Sequence, residues 1–166
     1  MLALQQFITD NPNSWQIKLT EEPYYLKIKQ DEAFPWLYLF TYDILNSDFY
    51  NPIVKESRGI ILDIDSPLSL PIVVCHAFNK FGNYGEGYSD TKLIDWSTVK
   101  VQEKIDGSIV KLWFEHRTCQ WILSSNSCIQ ASKAILSSGH SVYFVFLMAL
   151  DHLGYHSIEE FAVDKR

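Results

Sequence analysis

The sequence predicts an α+β fold of antiparallel sheets with flanking helices, and three observations carry that expectation. Short runs rich in aromatic and β-branched residues fill the stretch from Trp15 to Ile64. Tight polar turns, Asp106-Gly107 among them, separate later runs of the same kind. Beyond Ile129 the apolar period shifts from two toward 3.6, the mark of helices. With 166 residues, 47% of them hydrophobic, the chain is long enough to bury one core, and no repeat, low-complexity tract or linker divides it, so residues 1–166 read as a single domain.

In chain order, Leu2, Leu4, Phe7 and Ile8 suit a short helix that ends near Asn11-Pro12-Asn13. Tyr24 to Ile28, Trp36 to Tyr42 and Gly59 to Ile64 read as strands, and Leu70 to Cys75 follows the turn signal Asp65-Ser66-Pro67 as another. Phe78 to Gly87 carries three glycines in irregular spacing and reads as a loop. Val99 to Ile105 and Ser108 to Glu115 read as a hairpin around Asp106-Gly107. Gln120 to Ser125 is the third strand of that group, after the turn His116-Arg117-Thr118. Ala131, Ala134 and Ile135, then Val142, Phe146, Leu147, Leu150 and Leu153, predict two helices. A last helix is capped by Ser157, with Glu159 and Glu160 in its first turn.

Twenty acidic against fourteen basic residues give a net charge of −6, which excludes a protein held to nucleic acid by its whole surface. Any RNA contact is then local, unless a basic surface lies in sequence outside these residues. Aromatics make up 14% of the chain, enough for a ring-rich core with some rings left to stack on bases. Cys75, Cys119 and Cys128 form no CxxC pair and have no His at zinc spacing, so reduced thiols and a cytoplasmic setting are expected. No basic-then-apolar leader opens the sequence. Its longest apolar run, Val142 to Leu150, is about half of the ~20 residues a membrane span needs, so no membrane partner is expected.

Chemistry concentrates in Val101-Gln102-Glu103-Lys104-Ile105-Asp106-Gly107-Ser108. A lysine at the end of a strand, followed by a tight Asp-Gly turn, stands on a rim that a small molecule can reach; a plain hairpin with a solvated lysine fits the same residues. For a lysine with an ordinary pKa near ~10.4 to act as a neutral amine at pH 7 takes about 4.6 kcal/mol, which nearby cations or desolvation must supply. Two upstream segments offer cations: Glu56-Ser57-Arg58-Gly59-Ile60-Ile61-Leu62-Asp63, with Arg58, and Phe78-Asn79-Lys80-Phe81-Gly82-Asn83, with Lys80. Arg58 also has Glu56 two residues away as a potential ion-pair partner, and Lys80 also fits a solvated loop lysine.

These three segments, in this order, resemble the ATP-dependent RNA ligases of the phage RNA ligase 1 type, members of the covalent nucleotidyltransferases, from roughly Leu37 to the C-terminus. The first is similar to the family's xRGI strand with its essential arginine, the second to its K-F-x-N loop, and the third to its nucleotidyl motif. The resemblance implies a partial nucleotidyltransferase domain, an ATP-grasp-like ligase, with Lys104 as nucleophile. ATP would be bound by Arg58, Lys80, Asn83, Glu103, Asp106 and Gly107, with Mg²⁺ as the implied metal and no protein metal ligand assigned. Asp106 would contact ribose or orient the lysine, unless it only starts the turn. Glu103 would lie near adenine, unless it is an exposed strand carboxylate. Ile122-Leu123-Ser124-Ser125-Asn126-Ser127 occupies the place of the next motif, but Asn126 and Ser127 replace its basic residue and glycine, so a structural role is expected there.

The reaction so implied runs from Lys104 adenylylation, through AMP transfer to an RNA 5′-phosphate, to sealing by an RNA 3′-hydroxyl. The family's later acidic strand, metal-linked glutamate and K-x-K strand have no counterpart after Asn126. Residues 1–166 are therefore expected to be the N-terminal portion of such a domain, with a C-terminal portion or a second polypeptide as partner, and to seal RNA poorly or not at all alone. DNA ligases and capping guanylyltransferases share the lysine motif. From another class, a noncatalytic or decayed module that binds nucleotides or RNA ends fits the same truncated set.

Overall fold

A computed structural model describes residues 1–66, 70–89 and 91–164. The expected α+β class holds: antiparallel sheets with helices against them. Pro67 of the expected turn and the terminal Lys165 and Arg166 lie outside the described residues.

The chain opens with helix α1 (Ala3–Asp10) and a short helix α2 (Trp15–Thr20). Trp15, Ile17 and Leu19 alternate in sequence like a strand, in keeping with the strand-rich stretch expected from Trp15 onward. As a helix, however, the segment puts Trp15 and Leu19 four apart on one buried face and leaves Ile17 64% exposed. Strands β1 (Lys27–Gln30) and β2 (Leu37–Thr41) pair antiparallel, with β1 beginning later than Tyr24 because Tyr24 and Tyr25 turn the chain, Tyr25 at φ +47°. Helix α3 (Pro52–Glu56), unforeseen from periodicity, is started by Asn51, whose side chain accepts from Ile53 N at 2.9 Å, and by Pro52 in its first turn. Strands β3 (Arg58–Asp63) and β4 (Ile72–Cys75) complete an antiparallel sheet of order β1-β2-β3-β4.

Two apolar layers follow from the alternation along β2 and β3. Phe40, Ile60 and Leu62 face α1, α2 and α3, meeting Leu4, Ile8, Trp15, Leu19 and Val54. Leu37, Leu39 and Ile61 face the other way. There they meet Trp113 and Ile122 of a two-stranded sheet, β5 (Val110–Glu115) with β6 (Gln120–Ser125), registered Val110↔Ser125 to Glu115↔Gln120. Ile60, Ile61 and Leu62 are fully buried, each contributing roughly 1.5–3 kcal/mol, so β3 is the spine of the fold.

Polar ties hold the second sheet in place. Arg117, in the β5–β6 turn, donates from Nη2 to both oxygens of Asp63 at 2.8 and 2.6 Å and lies 4.9 Å from the Trp36 ring. Gln130 and Lys133 reach the carboxylate of Asp31, buried in the β1–β2 connection, at 2.8 and 3.0 Å. The helix expected around Ala131 to Ile135 is a single 3₁₀ turn, Ala131–Lys133, followed by a bridge from Ile135 to Ser141. Ser141 then caps α4 (Val142–His152), and Ser157 accepts from Glu160 N at 3.0 Å at the start of α5 (Ile158–Asp164), as its sequence indicated. Among the described residues no helix is long and apolar enough to cross a membrane.

Candidate functional site

Where α3 gives way to β3, the backbone from Glu56 to Gly59 is fixed from several sides. Glu56 is buried, and instead of pairing with Arg58 its carboxylate accepts from Ala3 N at 3.0 Å and Leu4 N at 2.8 Å, closing the N-terminus of α1. Ser57 donates its hydroxyl to Ile53 O at 2.7 Å. Gly59, at φ +74°, fits where no other residue does: a Cβ there would stand 2.6 Å from Asn126 Cα. Asn126 sits in a turn whose amides at Ser127 and Cys128 donate to Ser125 Oγ at 3.2 and 3.1 Å. The structural role expected for that segment is therefore to pack against Gly59.

Lys111 is the residue here that motif reasoning passed over. On β5 the buried positions are Lys111, Trp113 and Glu115, with Val110, Leu112 and Phe114 turned toward the partly exposed face. The apolar alternation 110, 112, 114 points the wrong way because each inward polar group has a partner. Lys111 donates its ammonium to the Gly59 carbonyl, Trp113 Nε1 donates to Ser124 Oγ at 2.8 Å, and Glu115 accepts from Thr118 N and Oγ1, both at 2.7 Å. Burial pushes the Lys111 amine below the ordinary lysine range and the neighbouring Cys75 thiol up to about 11.

Arg58 leaves this frame with its guanidinium against two neighbouring rings, 4.5 Å from the Phe78 centroid and 5.0 Å from that of Phe81. Its Nη1 is buried with no hydrogen-bond partner. Lys80 belongs to the same loop, which is tied to α3 by Lys80 N donating to Lys55 O at 2.7 Å. The Lys80 ammonium donates to Phe81 O at 2.7 Å and lies 5.6 and 5.4 Å from the Phe49 and Tyr88 rings. The two cations singled out in sequence thus both meet Phe81, Arg58 at its ring and Lys80 at its backbone carbonyl.

The rest of the loop is organised by Glu86. Its carboxylate accepts from Asn83 N at 2.7 Å and Asn83 Nδ2 at 2.8 Å, so Asn83 serves the loop's own shape. The Tyr88 hydroxyl, first, and then the Asn83 donors hold the Glu86 carboxyl below its ordinary range, while Glu86 raises the Tyr88 phenol. A cleft of about 350 Å³ opens here, lined by Lys80, Phe81, Gly82, Tyr84, Tyr88 and Ile94 among others, at the small end for a ligand site. The larger hollow beside α5, about 580 Å³, is walled by Glu159, Glu160 and Asp164 and does not suit an anion.

Lys104 and its neighbours depart from the expected hairpin. Residues 99–109 form no strand, and Asp106-Gly107 is not a paired turn: β5 starts only at Val110 and pairs with β6. As a strand, 99–105 would expose Val99, Val101 and Ile105 with nothing to cover them, and in the irregular segment Val101 and Ile105 remain 94% and 85% exposed. Glu103 and Gly107 are exposed as well. The Lys104 ammonium is 3.0 Å from Asp106 Oδ1, with both side chains open to solvent, and no hydrogen bond, ion pair or ring contact among the described residues joins it to Arg58, Lys80 or Asn83. The segment nonetheless leaves the fold beside Arg58. Val110 opposes Ser125, and the adjoining Asn126 lies on Gly59. Lys104 is six residues before Val110, a tether that spans up to ~20 Å when extended.

Among the described residues no three of His, Cys, Asp and Glu converge, so the protein side offers no cage for Mg²⁺. No family model, curated protein or solved structure matches this chain.

Proposed function

We propose that this chain binds the phosphates of ATP with Arg58 and Lys80 and takes AMP on Lys104, as the nucleotidyltransferase part of an RNA ligase. The observation that supports this most is the convergence of the two expected phosphate cations on one loop, with Arg58 Nη1 buried and unpartnered. A guanidinium packed against two rings, with a donor to spare, is set up for a phosphoryl oxygen.

In the reaction, the Lys104 ammonium leaves Asp106 and gives up one proton to solvent to become the neutral amine, and a second to solvent as the phosphoramidate forms. The amine lone pair forms the N–P bond to the α-phosphorus, and the bond from that phosphorus to the bridging oxygen of the β-phosphate breaks. Pyrophosphate leaves with the electron pair, its charge offset by Arg58 and Lys80. AMP on the lysine is then available to an RNA 5′-phosphate, and an RNA 3′-hydroxyl completes sealing.

Incubation with α-labelled ATP and Mg²⁺ should yield a protein adduct stable to alkali and cleaved by acid, mapping to Lys104. Lys104→Arg keeps the charge but has no accessible neutral amine, and should fold yet form no adduct. Label retained in the Arg variant, or mapped to another lysine, would sink the proposal. The exposed setting of Lys104 favours one alternative, a module that binds nucleotide without reacting, and that reading expects ATP binding with no adduct in either protein.

A further inference from the structure

Two side-chain nitrogens at the start of β3 are buried without a partner and remain unexplained by packing: Arg58 Nη1 and His76 Nε2. They belong to one neighbourhood. The register that sets Ile61 opposite Cys75 brings His76, carried one residue past β4, alongside Ile60, and Phe78 alongside Arg58. The Glu56 backbone carbonyl, two residues before Arg58, lies close enough to the His76 imidazole to favour its charged form. With Nε2 bare, that carbonyl favours the neutral tautomer whose proton is on Nδ1.

The surrounding charges are lopsided. Lys111 reaches Gly59 O from β5, and Lys80 stands on the same loop as Phe78 and Phe81. The nearest carboxylate, Glu56 from α3, has its oxygens on the amides of α1. Glu56 favours and Lys111 opposes a charge on His76, Cys75 precedes it as a buried thiol, and burial is the largest influence, holding the ring below the ordinary histidine range. In a chain of net charge −6, an Arg, a Lys and a buried Lys around two unmatched nitrogens form a local concentration of positive charge.

We propose that Arg58 Nη1 and His76 Nε2 form a notch for a tetrahedral phosphoryl anion, and that His76 takes up a proton as the anion enters. Arg58 supplies permanent donors; His76 supplies a second only when protonated on Nε2, so the anion and the proton bind together. The notch deepens the phosphate reading above and rests on its assignment of Arg58, but it does not involve Lys104.

The sign of the coupling follows from linkage. An anion raises the pKa of His76, so the extra affinity is fully present below the unliganded pKa and is lost as pH rises through the liganded one. Sulfate is the appropriate first probe, because its own charge is constant from pH 5 to 8 whereas phosphate's changes near ~6. Titration of the full chain, followed by the imidazole proton resonances, should show sulfate raising the His76 pKa by about one unit, with affinity about tenfold weaker at pH 8 than at pH 5.

His76→Gln should bind sulfate weakly with a flat pH profile, and Arg58→Gln should lose binding. Pyrophosphate and a 5′-phosphorylated oligonucleotide, as competitors at one pH, distinguish a nucleotide tail from an RNA end as the source of the phosphoryl group. A His76 titration indifferent to sulfate, or an unchanged pH profile in His76→Gln, overturns the notch even if Arg58→Gln fails to fold. Lys104→Arg should bind sulfate as the parent does. Failure of the parent chain to form the lysine adduct, with sulfate binding intact, therefore counts against the nucleophile alone, and an adduct formed without sulfate binding counts against the notch alone.

Discussion

Replacing Gly59 with alanine tests whether the close approach of β3 to the Asn126 turn holds the Arg58 corner together. Two penalties add. An L side chain at φ +74° costs about 1–2 kcal/mol in the left-handed region. The new Cβ would then lie 2.6 Å from Asn126 Cα, 2.9 Å from Asn126 O and 2.9 Å from Lys111 Nζ. Two of these three neighbours are backbone atoms that cannot swing away, so overpacking adds about 1–3 kcal/mol. Gly139 is an internal control: its φ of +81° is similar, but nothing lies within 4 Å of its Cβ position, so Gly139→Ala pays only the backbone penalty. The unfolded-chain entropy gained from Gly→Ala is common to both and cancels in the comparison. Urea unfolding with an unchanged m-value should place Gly59→Ala about 1–3 kcal/mol below Gly139→Ala, a Tm difference of very roughly 2–12 °C for a chain of this size. Equal stability of the two variants would mean that β3 and the Asn126 turn are not in contact, and the link from Arg58 to the start of β5 would fail with it.

Other parts of the site give further tests. Glu56→Ala leaves the Ala3 and Leu4 amides without their acceptor and should cost about 1–3 kcal/mol in chemical unfolding, with the faster amide exchange confined to α1; a cost under 0.5 kcal/mol would show that α1 does not depend on this carboxylate. Because the folded pKa of Glu86 is depressed, its contribution to loop order is present above the unfolded value and is lost as pH falls through the folded one. The Asn83 backbone and side-chain amide resonances should therefore shift on the acid side of the ordinary glutamate range and be insensitive to pH there in Glu86→Gln; titration of these resonances in Glu86→Gln as in the parent would detach Asn83 from Glu86.

Where sequence and fold agree, one local pattern dominated. Strands β2, β3 and β6 and helices α1, α4 and α5 were legible because their apolar residues follow one period or a cap is explicit, as at Ser157. The misreadings come from tertiary choices. Trp15-Gln16-Ile17-Lys18-Leu19 suits either period, and what decides is that Trp15 finds Tyr38 and Phe40 from one helical face. The expected hairpin around Asp106-Gly107 had a favourable turn but no second apolar surface for its first strand, and turn chemistry alone does not hold two strands together.

The same distinction governs the site. Arg58 and Lys80 could be picked from sequence because both lie in motif-like segments, yet their meeting at Phe81, Arg58 on its ring and Lys80 on its backbone carbonyl, becomes evident only in the fold. His76 and Lys111 carry no motif at all. One lies by the backbone carbonyl of Glu56 and the other donates to that of Gly59, so they meet the same four-residue segment from positions more than thirty residues apart. A buried amine and a half-buried imidazole, each beside a main-chain carbonyl, are costly to retain in an interior that apolar side chains could fill. Their common effect is to fix the backbone on both sides of Arg58 while leaving its Nη1 unmatched, and that is the arrangement a site needs when an arriving anion must find its donor already in place.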